Sequence, residues 1–257
     1  MTEPKTDAAK AETLLQQGLF HHRQGQLDLA MERYIDVLRG DPTNADALYY
    51  VAVVACEDGQ YQQGVDLAKR AIEVGAPQAR VHNLMGQAYD RLHQPLEAIK
   101  AYDAAIALDP KFAAAHGNRA AVLADAGMPD EALKSFDRAL SLNANSGADW
   151  LNRGTLLHDM GKLADAVESY NRALALAPDL PEGHLARATA LMGMGRFDDA
   201  LEGMDRAIKL NPVFAMAHKG RAAVLTALGR VDEAKASSER AAEIEAATRA
   251  EPGATTN

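Results

Sequence analysis

The chain has 257 residues, of which 47% are apolar and only 5% aromatic, so alanine and leucine must build most of its core. Its 36 acidic and 27 basic residues give a net charge of −9. This balance argues against general nucleic-acid binding, which needs a basic surface, and against docking on anionic membranes. It also predicts a mild preference for basic partners.

The number of cysteines and the first ten residues indicate in which cellular compartment the protein is expected. Cys56 is the only cysteine, so the sequence predicts neither an internal disulfide nor a cysteine-rich zinc site. The first ten residues are polar and contain no apolar signal segment, and no stretch approaches 18 apolar residues. We therefore expect a soluble cytoplasmic protein without a cofactor.

A repeat of 34 residues organises the chain. Ala98 and the four alanines that follow it at this interval lie in similar sequence blocks, and Ala30 lies two intervals earlier with Gly64 between them. Self-similarity at a fixed period is the sequence signature of a repeat architecture. The seven units have no insertion or deletion and begin at Ala11, Ala45, Ala79, Ala113, Gly147, Pro181 and Ala215.

Each unit has the pattern of two helices joined by a turn. Small residues recur at unit positions 8, 20 and 27, where they let two helix backbones approach, and bulkier residues occur at positions 4, 11 and 24. Glycine stands at position 15 in six units and ends the first helix, because a left-handed residue is favoured there. Proline stands at position 32 in four units and follows the second helix, which it cannot continue.

The boundaries and the irregular units follow from the same register. Residues 1–10 are predicted to be a polar tail, residues 11–246 the repeats and residues 247–257 a disordered tail. The second helix of unit two, with Gly64 and Ala68, should be the least well packed. The last helix, with Ser238 at an otherwise apolar position, indicates a polar end-cap.

These residues resemble the tetratricopeptide repeat of bacterial-type proteins. Unit five carries the resemblance best, with Trp150, Gly154, Leu157, Ala166, Tyr170, Ala173 and Pro178. The resemblance covers residues 11–246 and implies an all-α fold, a right-handed superhelical solenoid of helix–turn–helix units. It also implies that the first helix of each unit lines the inner face.

Two rows of polar residues recur at the repeat interval. His82, His116, His184 and His218 occupy position 4, where Trp150 stands in unit five, and we interpret them as packing residues because ligands one repeat apart do not converge on a metal. Arg119, Arg153, Arg187 and Arg221 occupy position 7, each 16 residues after Asp103, Asp137, Asn171 or Asp205. We favour ion pairs between neighbouring units, and the alternative is a basic stripe for an acidic ligand.

The resemblance also selects a candidate binding surface on the inner face. Positions 5, 6 and 9 of the middle units offer amides, small residues and an aromatic ring, and acids lie at one margin. Such a surface suits an extended peptide or a helix, because side-chain amides can bond a peptide backbone. The predicted peptide- or protein-binding residues are Tyr49, Val53, Asn83, Gln87, Asn118, Ala121, Asn152 and Thr155.

The leading functional hypothesis is therefore a non-catalytic scaffold or adaptor for a protein partner. An alternative is a regulatory or substrate-recruiting subunit of a glycosyl- or methyl-transfer enzyme system, because related bacterial repeats are often joined to such enzymes. A weaker alternative is an enzyme in its own right, which the lack of a catalytic motif disfavours. A homo-oligomer is compatible with the sequence but not indicated by it.

Overall fold

The computed structural model describes residues 4–76 and 78–250, and in these residues it contains fourteen α-helices and no strand. The helices are α1 (Pro4–Arg23), α2 (Leu27–Gly40), α3 (Ala45–Glu57), α4 (Tyr61–Glu73), α5 (Gln78–Arg91), α6 (Pro95–Leu108), α7 (Ala113–Asp125), α8 (Pro129–Leu142), α9 (Gly147–Asp159), α10 (Leu163–Leu176), α11 (Pro181–Gly193), α12 (Phe197–Leu210), α13 (Ala215–Ala227) and α14 (Val231–Ala250).

The chain divides into two compact units, residues 1–142 and residues 143–257. We call them the N-terminal half, which contains α1–α8, and the C-terminal half, which contains α9–α14. Within each half the two helices of a repeat pack on each other, and first helices of successive repeats touch, as α3 does with α5 and α11 with α13. The predicted all-α repeat solenoid is confirmed, whereas its right-handed superhelix stays a prediction.

The observed helix boundaries follow the predicted register. Five of the first helices begin at the predicted unit starts, and α5 begins one residue early, at Gln78. The first helix is longer than expected: α1 begins at Pro4, so residues 4–10 are helical and not an irregular tail. Proline is favoured at the first helical position, and the alanines that follow favour helix. The last helix continues to Ala250, and residues 251–257 lie outside the described residues.

The turn between the two helices of a unit uses a left-handed residue at position 15. Six units place glycine there, with φ between 71° and 79°. Unit three has no glycine at this position, and His93 adopts the same conformation with φ of 56°. The repeat geometry therefore imposes a left-handed backbone conformation on a residue other than glycine, which is uncommon.

The core is built from small residues that let paired helices approach closely. Ala30, Ala98, Ala132, Ala166 and Ala200 are each 0% exposed, which confirms their predicted burial. Tyrosine at position 24 lies directly on glycine at position 8 in three units, through the pairs Gly18–Tyr34, Gly86–Tyr102 and Gly154–Tyr170. The aromatic ring therefore takes the space that a side chain at position 8 would occupy.

The second helix of unit two has a fully buried inner side. Val65, Ala68 and Ala71 of α4 are each 0% exposed. A methyl group at Gly64 would overlap the sulfur of Cys56 in α3, so this sulfur fills the space left by the glycine. The sulfur of Cys56 therefore compensates locally for Gly64, and the expectation that this second helix is the least well packed stays a prediction.

Candidate functional site

An open cleft in the N-terminal half lies where α3, α5 and α7 run side by side. Its volume is about 490 Å³. The first helices of units two, three and four supply most of the lining, and Tyr61 and Tyr102 contribute from second helices. The lining residues are Val53, Cys56, Glu57, Tyr61, Leu84, Gln87, Ala88, Asp90, Arg91, Tyr102, Asn118 and Ala121, and we call this surface the unit-two-to-four cleft.

Four of the predicted binding residues line this cleft: Val53, Gln87, Asn118 and Ala121. Asn83 lies beside them, because the side-chain amide of Asn118 donates a hydrogen bond to Oδ1 of Asn83 at 3.2 Å. This bond links α5 to α7 and uses one hydrogen of Asn118 and the oxygen of Asn83. Both amides therefore keep donors, and Asn118 keeps its acceptor oxygen.

The other predicted residues have different surroundings. Tyr49 is half-buried, and the guanidinium of Arg80 lies over its ring at 5.7 Å from the centroid, so this face of the ring is covered. Asn152 and Thr155 lie on α9 in the C-terminal half and are exposed. The Thr155 hydroxyl bonds the Leu151 carbonyl at 3.2 Å. Their participation in one site with the cleft residues stays a prediction.

The lining of the cleft includes acidic residues. Burial raises the pKa of the Asp90 carboxyl above its usual range, and the nearby Asp125 carboxylate raises it further, against the opposing effect of Arg91. Glu57 adds another acid to the lining. Glu57, Arg91 and Asp125 all occupy unit position 13, which the resemblance places on the inner face, although the predicted binding residues did not include them.

Cys56 is the potential nucleophile of the cleft. Burial, together with the charge of Glu57, raises the pKa of its thiol to about 11. The thiolate is the reactive form of cysteine, and this environment disfavours it. Its packing against Gly64 therefore explains Cys56 better than cysteine chemistry does.

The predicted arginine ion pairs form within each half. Nε of Arg119 lies 2.6 Å from Oδ1 of Asp103, and Nε of Arg221 lies 2.6 Å from Oδ1 of Asp205. The Arg153–Asp137 pair would join the two halves and stays a prediction. Sequence reasoning missed a second set of partners at unit position 23, where serine hydroxyls accept from Nη1 of the same arginines, at 2.6–2.7 Å, in the pairs Arg119–Ser135, Arg153–Ser169 and Arg221–Ser237.

The ring nitrogens at unit position 4 bond the backbone six residues earlier. Nε2 of His116, His184 and His218 lies 2.8–3.2 Å from the carbonyl oxygen of Pro110, Pro178 and Pro212, respectively. Nε1 of Trp150 donates to the corresponding carbonyl of Ala144 at 2.9 Å. These contacts support the interpretation of His116, His184 and His218 as packing residues that take the place of the tryptophan, and for His82 it stays a prediction.

Comparison with protein families identifies the repeat. Family models described as Tetratricopeptide repeat match residues 21–88, 79–112, 112–179 and 185–254. The chain belongs to the tetratricopeptide repeat family. Comparison with curated proteins gave no match.

Several solved structures share the tetratricopeptide repeat fold. A structure from the functional characterisation of Pseudomonas aeruginosa pilF is 20% identical, with a TM-score of 0.76 over 84% of this chain and 99% of that one. MamA from Desulfovibrio magneticus RS-1 is 19% identical, with a TM-score of 0.61 over 69% and 99%. YrrB, described as a TPR protein with an unusual peptide-binding site, is 18% identical, with a TM-score of 0.60 over 72% and 95%. At these identities the likeness shows the fold alone.

Candidate metal sites and candidate membrane-spanning helices are absent from the part of the tetratricopeptide repeat chain that the structure describes. No three His, Cys, Asp or Glu residues there are grouped so that they could hold a metal ion. None of the described helices combines the length and the apolar character that crossing a membrane requires.

Proposed function

We propose that this tetratricopeptide repeat protein is a non-catalytic scaffold or adaptor that binds a peptide segment of a protein partner along the unit-two-to-four cleft. The observation that carries the proposal is the Asn83–Asn118 amide pair, which lies beside an open cleft and links two neighbouring first helices. Asparagine is a poor helix former, so its use on two adjacent helices is not explained by helix stability.

The cleft offers complementary chemistry for an extended or helical peptide. The amides of Asn118 and Gln87 can donate to and accept from a peptide backbone. The buried Asn83 orients Asn118 through their shared hydrogen bond. Val53 and Ala121 provide small apolar contacts beside them, where short side chains of the peptide can pack. Specificity then comes from the apolar contacts, whereas the amides hold the backbone in register.

The acids of the cleft favour a basic segment. Glu57 and Asp90 line it, Asp125 lies close to Asp90, and Arg91 is the one basic residue among the lining residues. A lysine or arginine of the partner near Asp90 would oppose the burial and the Asp125 charge that together raise the Asp90 pKa. We expect such attraction to act mainly on the association rate, which salt would slow.

The predicted residues Asn152 and Thr155 extend the proposal to α9. Both side chains are exposed, so they are accessible to a partner. We propose that these two residues also contact the partner, as a separate surface on α9 of the C-terminal half. The expected cytoplasmic location also stays a prediction, which fractionation of the native host would test.

The test begins with a partner that co-purifies from the native host. Its affinity is then measured for the wild type, for Asn83→Ala with Asn118→Ala, and for Asn152→Ala. Each buried hydrogen bond to the peptide that is lost should cost about 1–3 kcal/mol of binding free energy. Replacing both cleft amides together avoids leaving one of them unpaired. Gln63→Ala on α4 is the matched control, because Gln63 is an exposed amide outside the cleft.

The measured affinities test whether the partner binds in the cleft. Reduced affinity in the cleft variant, with unchanged far-UV circular dichroism and an unaffected control, would support the proposal. Unchanged affinity in the cleft variant would mean that the partner binds to another surface. The identity of the partner decides whether the scaffold serves a transfer enzyme as a regulatory or substrate-recruiting subunit.

A further inference from the structure

One arginine of the row at unit position 7 lacks the hydrogen-bond partners that Arg119 and Arg221 have. At Arg119 and Arg221 the guanidinium is held by a carboxylate of the preceding unit and by a serine hydroxyl of its own unit. Arg187 stands at the same position of unit six. Its two partner positions hold Asn171 and Gly203, so it meets a neutral amide and no hydroxyl.

Arg187 therefore lacks the ion pair that Arg119 and Arg221 make. Nη1 donates to Oδ1 of Asn171 at 3.1 Å. In residues 4–76 and 78–250, no carboxylate lies within ion-pair distance of the Arg187 guanidinium, and its buried Nε has no acceptor. A buried donor without a partner costs free energy, so this nitrogen would gain from an acceptor supplied by a ligand.

A second buried atom without a partner lies one helical turn earlier. Nε2 of His184 is 2.8 Å from the Pro178 carbonyl oxygen, so this nitrogen carries a hydrogen. Nδ1 of the same ring is buried and has no partner among the described residues. Residues three apart on a helix are neighbours on its surface, which places the two unsatisfied nitrogens on one side of α11.

Both side chains line a cavity of about 420 Å³ between α11 and α12. Glu202, Asp205, Arg206 and Lys209 complete the lining. Asp205 forms an ion pair with Arg221 at 2.6 Å, and Arg206 forms one with Asp179 at 2.9 Å. Arg187 and Lys209 remain as the cations that face the cavity, against Glu202 at its exposed edge.

We propose that this cavity binds a phosphoryl group. Because both nitrogens are buried in the free protein, binding requires the two side chains to turn toward the cavity. A phosphoryl oxygen then accepts from Nε of Arg187 and takes the place of the carboxylate found at Arg119 and Arg221. A second phosphoryl oxygen shares one hydrogen with Nδ1 of His184, carried either by the phosphate or by the ring. Lys209 adds a point charge. Acetate supplies acceptor oxygens but no hydrogen when ionised, so phosphate fits the pair of nitrogens better. This site shares no residue with the unit-two-to-four cleft.

The test is a titration of the full chain with inorganic phosphate, followed by the NMR signal of the Arg187 Nε–H group. The Nε–H signal that disappears in the Arg187→Lys variant is assigned to Arg187. We expect a saturable shift with phosphate, binding of acetate that is weaker by about tenfold, and no saturable shift with chloride at equal ionic strength. O-phosphoserine in place of phosphate distinguishes the source: tighter binding indicates a phosphorylated side chain, and equal binding indicates free phosphate.

Asn171→Asp is the decisive variant, because it restores the carboxylate that the neighbouring repeats use. We expect it to raise the melting temperature and to weaken phosphate binding by about tenfold or more, since the carboxylate then occupies Arg187 and repels the anion. Arg172→Gln, at an exposed arginine of α10, is the charge control and should bind phosphate as the wild type does. No saturable shift, equal shifts with all three anions, or unchanged affinity in Asn171→Asp would each overturn the proposal, and a bridging water would then account for both nitrogens.

Discussion

Substitution of Ala132 by leucine is expected to lower the free energy of unfolding by about 1–3 kcal/mol. Ala132 in α8 is 0% exposed and occupies the position that Gly64 takes in unit two. A methyl group at Gly64 would point at α3, the first helix of its own unit, so the equivalent residue on α8 faces α7. Three further carbons at Ala132 must push these two helices apart, because the protein interior is close-packed.

Denaturant unfolding followed by circular dichroism measures the effect of Ala132→Leu. Ala107→Leu is the matched control, because Ala107 on α6 is exposed and its substitution should change stability by no more than about 0.5 kcal/mol. If Ala132→Leu unfolds at the same denaturant concentration as the wild type, the 34-residue register does not place Ala132 at a helix–helix contact.

Substitution of Gly86 by alanine should also destabilise the protein by about 1–3 kcal/mol, although alanine favours helix over glycine by about 1 kcal/mol. An added methyl group would lie 2.5–2.7 Å from three atoms of the Tyr102 ring. Tyr102 is 1% exposed, so its ring has little room to move away. Gly40→Ala is the control, because a methyl group at the end of α2 meets nothing within 4 Å.

A second substitution should restore part of the stability lost in Gly86→Ala. Unit six places alanine at position 8 and methionine at position 24, as Ala188 and Met204, and both are 0% exposed. Tyr102→Met in the Gly86→Ala background copies this pair. We expect a favourable coupling energy in the double-mutant cycle. Equal stability changes for Gly86→Ala and Gly40→Ala would show that the ring does not fill the space at position 8.

The fold was predictable because its determinants repeat. A small residue at position 20 or a glycine at position 15 has the same physical reason in every unit, so seven copies reinforce one interpretation. The exceptions were not predictable. His93 adopts the left-handed conformation because the units around it fix the turn, and the sulfur of Cys56 compensates for Gly64 from another helix. Both depend on neighbours that a single position does not reveal.

The candidate site was predictable only in part. The pattern of inner-face positions found Val53, Gln87, Asn118 and Ala121, because a residue's position in the repeat determines the face it occupies. The contact of Arg80 with Tyr49 depends on the reach of a long side chain, which position alone does not determine. The unsatisfied nitrogens of unit six likewise required the actual hydrogen bonds, although the change to Asn171 was visible in the sequence.

Site-specific photo-crosslinking tests the central claim most directly. A benzophenone amino acid is placed at Gln87, which is exposed and lines the cleft, or at Lys134, which is exposed on α8 and is not among the lining residues. Each variant is irradiated with the partner that co-purifies from the native host. A partner bound in the unit-two-to-four cleft predicts a crosslink from Gln87 and none from Lys134. A crosslink from Lys134 with none from Gln87 would contradict the proposal that the partner binds in the cleft.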